Sequence, residues 1–230
     1  MAGFSKKRRE QRLAEIYMEE ELVTPQKYNM ILCGTVLWGI VVNFILCVTV
    51  GDVFEYVNPI VFYIGYFACC IIGILMSAKS KNPWISFIGY NLVVIPLGLV
   101  ISTVVEEFSE YDSGIVTEAF LITMCVTAAM LLFAIQFPSV CSKFGALLLP
   151  CLIGVIIAEV IMLLLHKDST WISWVSAVLF SLYIAYDVYR SQQFACTVDN
   201  AVDCAVDIYL DIANLFLEIL RILGNGKKRK

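Results

Sequence analysis

Charged residues are scarce: Asp, Glu, Lys and Arg make up 16% of the 230 residues, where a soluble domain carries about a quarter. That shortfall excludes an ordinary soluble domain. Histidine is nearly missing, with His166 the one example, and no CxxC pair occurs among the nine cysteines. Their spacing therefore gives no support to a thiolate or imidazole metal cluster; Cys33, Cys47, Cys69, Cys70, Cys125 and Cys151 read instead as small apolar residues. No GxSxG, Walker loop or GxGxxG occurs, so neither hydrolase nor nucleotide chemistry is indicated, and no enzyme or cofactor is expected. Soluble domains, low-complexity tracts and repeats are missing too.

What the chain has instead is apolar length. Hydrophobic residues reach 60% and the mean hydropathy is +0.82. Runs of about 20 apolar residues, enough to cross a bilayer, predict six spans, near 28–50, 57–78, 84–105, 114–137, 145–165 and 170–188. Asn-Pro at 58–59 and 82–83, and Pro138, mark breaks between them. The organisation expected is a charged segment over 1–27, one helical bundle over 28–224 and a basic tail over 225–230. Because 1–27 has no apolar run, the first span is expected to act as its own insertion signal.

Loop charge sets the expected orientation. With sides alternating from the N-terminus, ten Lys and Arg fall on the N-terminal side and one, Lys167, on the other. The N-terminus is therefore expected in the cytoplasm of a bacterial plasma membrane. These basic clusters flank apolar runs, so anionic lipid rather than nucleic acid is their expected partner. The outer side is acidic, with Asp52, Glu55, Glu106, Glu107, Glu110 and Asp112, and Glu118 lies just inside the fourth span. Such a face either concentrates cations or merely reflects the charge bias of insertion. For Glu118, expected in the first turn of its helix, stabilisation of the helix N-terminus is a further alternative.

A seventh segment, near 201–223, places acids where lipid forbids them. At about 100° per residue, Asp203, Asp207, Asp211, Asn214 and Glu218 fall within roughly 80° of arc. A charge at the bilayer centre costs roughly 2.5–3.5 kcal/mol on insertion scales, so this stripe must face protein or water. Asp203 is expected near the interface and solvated. If the segment crosses fully, Lys227, Lys228, Arg229 and Lys230 lie outside; if it turns back, they lie inside.

The sixth span carries its own polar stripe of Ser176, Tyr183, Asp187 and Arg190, within about 60°. Short connections predict that the two helices are neighbours, with Asp187 opposite Asp211 or Asp207. Desolvation and like-charge repulsion both disfavour full ionisation of such a pair, so it is expected to share a proton and titrate as a unit. Hard carboxylate oxygens also suit Ca²⁺. The alternative is ordinary helix-face ion pairing, since Arg190 follows Asp187 and Arg221 follows Glu218 at i+3. Glu159 has no base near it in sequence and either faces a cavity or packs as a protonated acid.

The segments FSLYIAYDVYR (180–190) and AVDIYLDIANLFLEILRILG (205–224) resemble the C-terminal signature of the Bax inhibitor family. The shared elements are Tyr186-Asp187, then Ile208-Tyr209-Leu210-Asp211 with Asn214-Leu215-Phe216, then Leu223-Gly224; Glu118-Ala119-Phe120 is similar to bacterial members. The resemblance implies an all-α integral membrane protein, a seven-helix bundle with its last helix at the centre. The acid stripe demands the same placement independently. The resemblance further implies a pH-sensitive calcium leak gated by Asp187 and Asp211, with those two as calcium contacts and with calcium and protons as partners.

Some bacterial members latch this pair with an arginine at the cytoplasmic end of the second helix. Here that stretch is Met76-Ser77-Ala78-Lys79-Ser80-Lys81, so Lys79, Lys81 or Arg190 is the candidate latch base. Where a base latches one Asp, acid opens the path; without a latch, acid restores the Asp–Asp hydrogen bond and closes it. Asp207, Glu118, Glu159 and Asn214 are candidates for the ion pathway. A proton-coupled cation transporter, and a non-conducting regulatory protein that binds other membrane proteins, are the alternative functions.

Overall fold

Three helices open on the same local signal. Thr24-Pro25, Asn58-Pro59 and Asn82-Pro83 each place a capping side chain before a proline at the first helical position. Thr24 accepts from the Lys27 amide at 3.3 Å, Asn58 from Ile60 at 2.9 Å and Asn82 from Trp84 at 3.0 Å. Proline suits this place because its missing N–H would have no intrahelical partner and its φ is already helical.

In the computed structural model, which describes residues 22–53, 57–109, 113–165 and 170–228, these signals open α1 (Pro25–Thr49), α2 (Pro59–Lys79) and α3 (Pro83–Ser109). They are followed by α4 (Ser113–Gln136), α5 (Pro138–Phe144), α6 (Leu148–Leu164), α7 (Thr170–Ser191) and α8 (Val198–Lys228). No strand occurs among the described residues.

Five helices, α1 to α4 and α7, are long and apolar enough to cross a membrane, and a bent pair formed by α5 and α6 raises the number to six. The protein is therefore an integral membrane protein. Only 11% of the most apolar window of α2 is buried within the protein, as expected of a helix that turns Ile60, Phe67 and Ile71 towards lipid.

The fifth apolar run departs from expectation. Its helix, α6, starts at Leu148 rather than Gly145 and counts as a crossing only together with α5, which precedes it at a bend of 50°. Pro138 forbids continuation of α4 and starts α5, while Pro150 is tolerated in the first turn of α6. At the bend the Gly145 backbone lies against the Tyr186 ring, where a Cβ would meet the phenol oxygen at 2.5 Å.

The acidic segment also departs from expectation. α8 begins at Val198, capped by the Thr197 hydroxyl, which accepts from the Asn200 amide at 3.1 Å. It runs unbroken for 31 residues, so the segment does not turn back within its length. It also continues past Gly224, which does not end the helix: the missing Cβ there makes room for the Phe108 ring. From 198 to 225 no residue is exposed, the burial expected of a helix with acids on one face and Leu and Ile on the others.

The chain divides into two compact units. The first contains Met1–Glu107 and Ser191–Tyr209, hence α1, α2, nearly all of α3 and the beginning of α8. Its core includes Tyr28, Tyr90, Val93, Val94 and Tyr209, all nearly inaccessible. The second contains Phe108–Arg190 and Leu210–Lys230, hence α4 to α7 and the remainder of α8.

Within the first unit, α2 and α3 approach backbone to backbone. A Cβ on Gly73 would meet the Gly89 carbonyl oxygen at 2.5 Å, and one on Gly89 would meet that of Gly73 at 2.6 Å. This crossing brings Ser77 and Ser86 to the beginning of α8.

Candidate functional site

The first unit buries two acids from the start of α8. Asp199 and Asp203 are 6% and 7% exposed. The Ser86 hydroxyl donates to Asp199 Oδ1 at 2.6 Å, and the Ser77 hydroxyl donates to Asp203 Oδ1. Asp203 is therefore not a solvated interfacial residue, as its place near the segment's end suggested. The α2–α3 crossing sets a hydroxyl over it, and a buried carboxylate is stable only with such donors.

Ser77→Ala removes that donor. It should destabilise the protein by about 1.5–3 kcal/mol, the usual worth of a hydrogen bond to a charged group. Unfolding in detergent with denaturant measures this, and Asp203→Asn in the Ser77→Ala background should recover part of the loss.

Nearly two turns further along, Tyr209 fixes α8 against α1. Its hydroxyl donates to Asn43 Oδ1 at 3.0 Å and accepts from Asn43 Nδ2 at 2.7 Å. Gly39 and Gly98 have no side chain where the Tyr90 and Tyr209 rings and the Asn43 amide lie. Asp207 and Asn214 on α8 are half-buried.

In the second unit, α7 and the later part of α8 run antiparallel. Asn225 Nδ2 donates to the Thr170 hydroxyl at 3.2 Å. Ser173 faces the Glu218 carboxylate, and Tyr183 lies in the field of Asp211. The polar stripe of α7 thus meets that of α8 along their shared length. Asn225 of α8 thus lies at the opposite end of α7 from Arg190.

Asp187 and Asp211 are 8% and 7% exposed, and both act electrostatically on the half-buried Tyr183 phenol. Arg190 Nη1 donates to Asp187 Oδ1 at 3.3 Å, with the arginine side chain 31% exposed. The cluster is thus two carboxylates, a phenol and one guanidinium.

Glu159 lacks a base near it in sequence but has one in space. Arg221 Nη1 lies 3.8 Å from Glu159 Oε1 and 3.0 Å from Glu218 Oε1. Folding supplies this partner, because α6 and the end of α8 belong to the same compact unit.

The remaining candidates are more exposed. Lys79 and Lys81 are exposed and make no ion pair among the described residues. Glu118 is exposed as well and is the sixth residue of α4, beyond the first turn, which removes helix-end stabilisation as its explanation. Glu106 and Glu107 are exposed at the end of α3. Glu55, Glu110, Asp112, His166 and Lys167, together with the basic residues of 1–21, lie outside the described residues.

No group of three or more His, Cys, Asp or Glu among the described residues could hold a metal ion. A bound cation here would have to find much of its oxygen shell in hydroxyls and water.

Comparison with known proteins agrees with this architecture. The family model described as "Inhibitor of apoptosis-promoting Bax1" matches residues 23–228. An uncharacterised protein of Helicobacter pylori strain J99 is 33% identical over 160 residues, 65% of this chain and 65% of that protein. Protein lifeguard 3 of the mouse is 25% identical over 213 residues, 80% of this chain and 65% of its own length. Inner membrane protein YbhL of Escherichia coli K12 is 27% identical over 141 residues, 56% of this chain and 59% of its own length. The match thus spans less than two thirds of each of these relatives. With the family model extending from just before α1 to the end of α8, this chain of apolar helices and buried acids belongs to the Bax inhibitor family.

Proposed function

We propose that the protein is a pH-sensitive leak pathway for cations, Ca²⁺ foremost, gated by contact between Asp187 and Asp211. The observation that carries this reading is the burial of both carboxylates beside one phenol, Tyr183, on two antiparallel helices of a single compact unit. In this reading the bent pair is one crossing and α8 another, which makes a seven-helix bundle with the acidic helix at its centre. The loop charges favour a cytoplasmic N-terminus, and the inner-membrane relative favours a bacterial plasma membrane.

Buried acids in contact are stable together only while they share a proton. In this reading Asp187 is the ionised member, because Arg190 donates to it, and Asp211 holds the proton. Arg190 thereby fills the role of latch base in place of Lys79 or Lys81. Acid protonates Asp187, cancels its ion pair and replaces the ionised acceptor for Asp211 with a weaker neutral one. A packing that relies on an ionised carboxylate is favoured at higher pH and loses that support as pH falls, so acid opens the path.

Proteoliposomes loaded with a calcium dye test this reading. Ca²⁺ should leak down its gradient, faster as pH falls below neutral, and a proton gradient should not drive it uphill. Uphill accumulation would identify a coupled transporter instead.

Glu118 supplies negative charge at the outer mouth in this reading. Glu118→Gln should slow the leak at low ionic strength and lose its effect near 1 M salt, where the screening length is about 3 Å. An unchanged leak at low salt would assign Glu118 a passive surface role.

The family's description as an inhibitor favours one second reading, a non-conducting regulator; binding to other membrane proteins is how we propose it would act. Such a protein would be indifferent to neutralising Asp187 and Asp211 together.

A further inference from the structure

Glu218 is 5% exposed, yet its Oε2 has no hydrogen-bond partner among the described residues. On the facing helix α7, the hydroxyl of Ser176, a fully buried residue, has none either. Ser176 lies one turn from Ser173, whose hydroxyl faces the Glu218 carboxylate. Buried polar atoms are seldom left so, and two of them on facing polar stripes mark a place that takes a further group.

The charges beside it indicate which kind. Glu159 and Glu218 converge on one nitrogen, Arg221 Nη1, at 3.8 and 3.0 Å. Two acids and one base leave a single negative charge. A small cation at the position of that nitrogen would have carboxylate oxygens from both α6 and α8 within reach. Protein does not seal the cluster, since the side chains of Arg221 and Glu159 are 43% and 37% exposed.

We propose that Glu159 and Glu218, with Ser173 and Ser176, form a second cation site for a hard divalent ion such as Ca²⁺, and that Arg221 is its tethered competitor. Two carboxylates and two hydroxyls leave part of a calcium shell of six to eight oxygens to water, so the site binds weakly. Seven residues of α8 separate Glu218 from Asp211, about 10 Å along the axis at 1.5 Å per residue. The two sites thus stand in series along one helix. The proposal rests on binding alone and does not depend on the leak.

The test is equilibrium binding of radioactive Ca²⁺ to the full chain in detergent, in an Asp187→Asn, Asp211→Asn background that removes the first site. Weak binding should persist there and be lost on adding Glu159→Gln. Arg221→Gln should tighten it by about tenfold or more, since a cation removed from about 4 Å no longer repels the incoming ion. Arg221→Lys should resemble the background, and Glu218→Gln should cancel the gain. Binding that is equal with and without Glu159→Gln would overturn the proposal. So would a folded Arg221→Gln variant with unchanged affinity, which would mean that the buried oxygens hold water only. If Arg221→Gln does not fold, as judged by helical circular dichroism, the Glu159→Gln comparison decides alone.

Discussion

Replacing Asp187 and Asp211 together by Asn should flatten the pH response of the calcium leak. Each substitution keeps the size of the side chain and removes its titration. With neither carboxyl able to ionise, the contact no longer changes with protonation, and the population of open and closed packings stops following pH.

The expected magnitude follows from the ion pair that acid would otherwise break. A charge pair of this kind, partly exposed through Arg190, contributes on the order of 1 kcal/mol. That corresponds to several-fold in the open population between neutral and acidic pH, all of it lost in the double variant. Leak rates in proteoliposomes at stepped pH measure this directly. A double variant that follows pH like the parent would move the sensor elsewhere, with Glu159 the next carboxylate to neutralise.

The second large effect concerns stability. Gly73→Ala or Gly89→Ala should each destabilise the first unit by about 2–3 kcal/mol, the upper part of the usual cost of overpacking. The atom each new methyl group meets is a backbone carbonyl oxygen, at 2.5 Å for Gly73 and 2.6 Å for Gly89. Backbone cannot rotate out of the way as a side chain can, so α2 and α3 must separate. Separation would also withdraw Ser77 and Ser86 from Asp203 and Asp199, adding two lost hydrogen bonds to the strain. Gly65→Ala, with nothing within 4 Å of the new atom, is the matched control and should be silent. Thermal unfolding in detergent distinguishes them, and equal midpoints for Gly65→Ala and Gly89→Ala would contradict the close crossing.

Much of this architecture is legible in the sequence because it depends on local rules. Thr24, Asn58 and Asn82 announce three helix starts through the proline that follows each. The acid stripe of α8 implies a helix buried along its length, and none of its residues from 198 to 225 is exposed. The ion pairs Asp187–Arg190 and Glu218–Arg221 are readable from i,i+3 spacing alone.

The partners that decide what each acid does are not local. Ser77 and Asp203 are 126 residues apart in sequence, Ser86 and Asp199 113. Which hydroxyl meets which carboxylate depends on how far α2 and α3 slide past each other, and that is fixed by Gly73 and Gly89. No composition or periodicity distinguishes those two glycines from Gly65, which packs against nothing. For the same reason Glu159 reads as a lone acid until α6 and α8 bring Arg221 beside it. The extension of α8 past Gly224 is equally hidden, because a glycine near a helix end more often stops it; here the Phe108 ring occupies the space a Cβ would fill.

The central claim is that Asp187 and Asp211 share one proton near neutral pH, and infrared difference spectroscopy of the carboxyl C=O stretch tests it most directly. In membranes at neutral pH the parent should show a protonated carboxyl band that disappears in Asp211→Asn. In Asp187→Asn the band should shift, as a neutral amide oxygen replaces the carboxylate that accepts from Asp211, and acid should add a second protonated carboxyl only where Asp187 is present. A parent spectrum in which both acids are ionised from pH 6 to 8, or a band that persists unchanged in both single variants, would contradict the shared proton and the gate built on it.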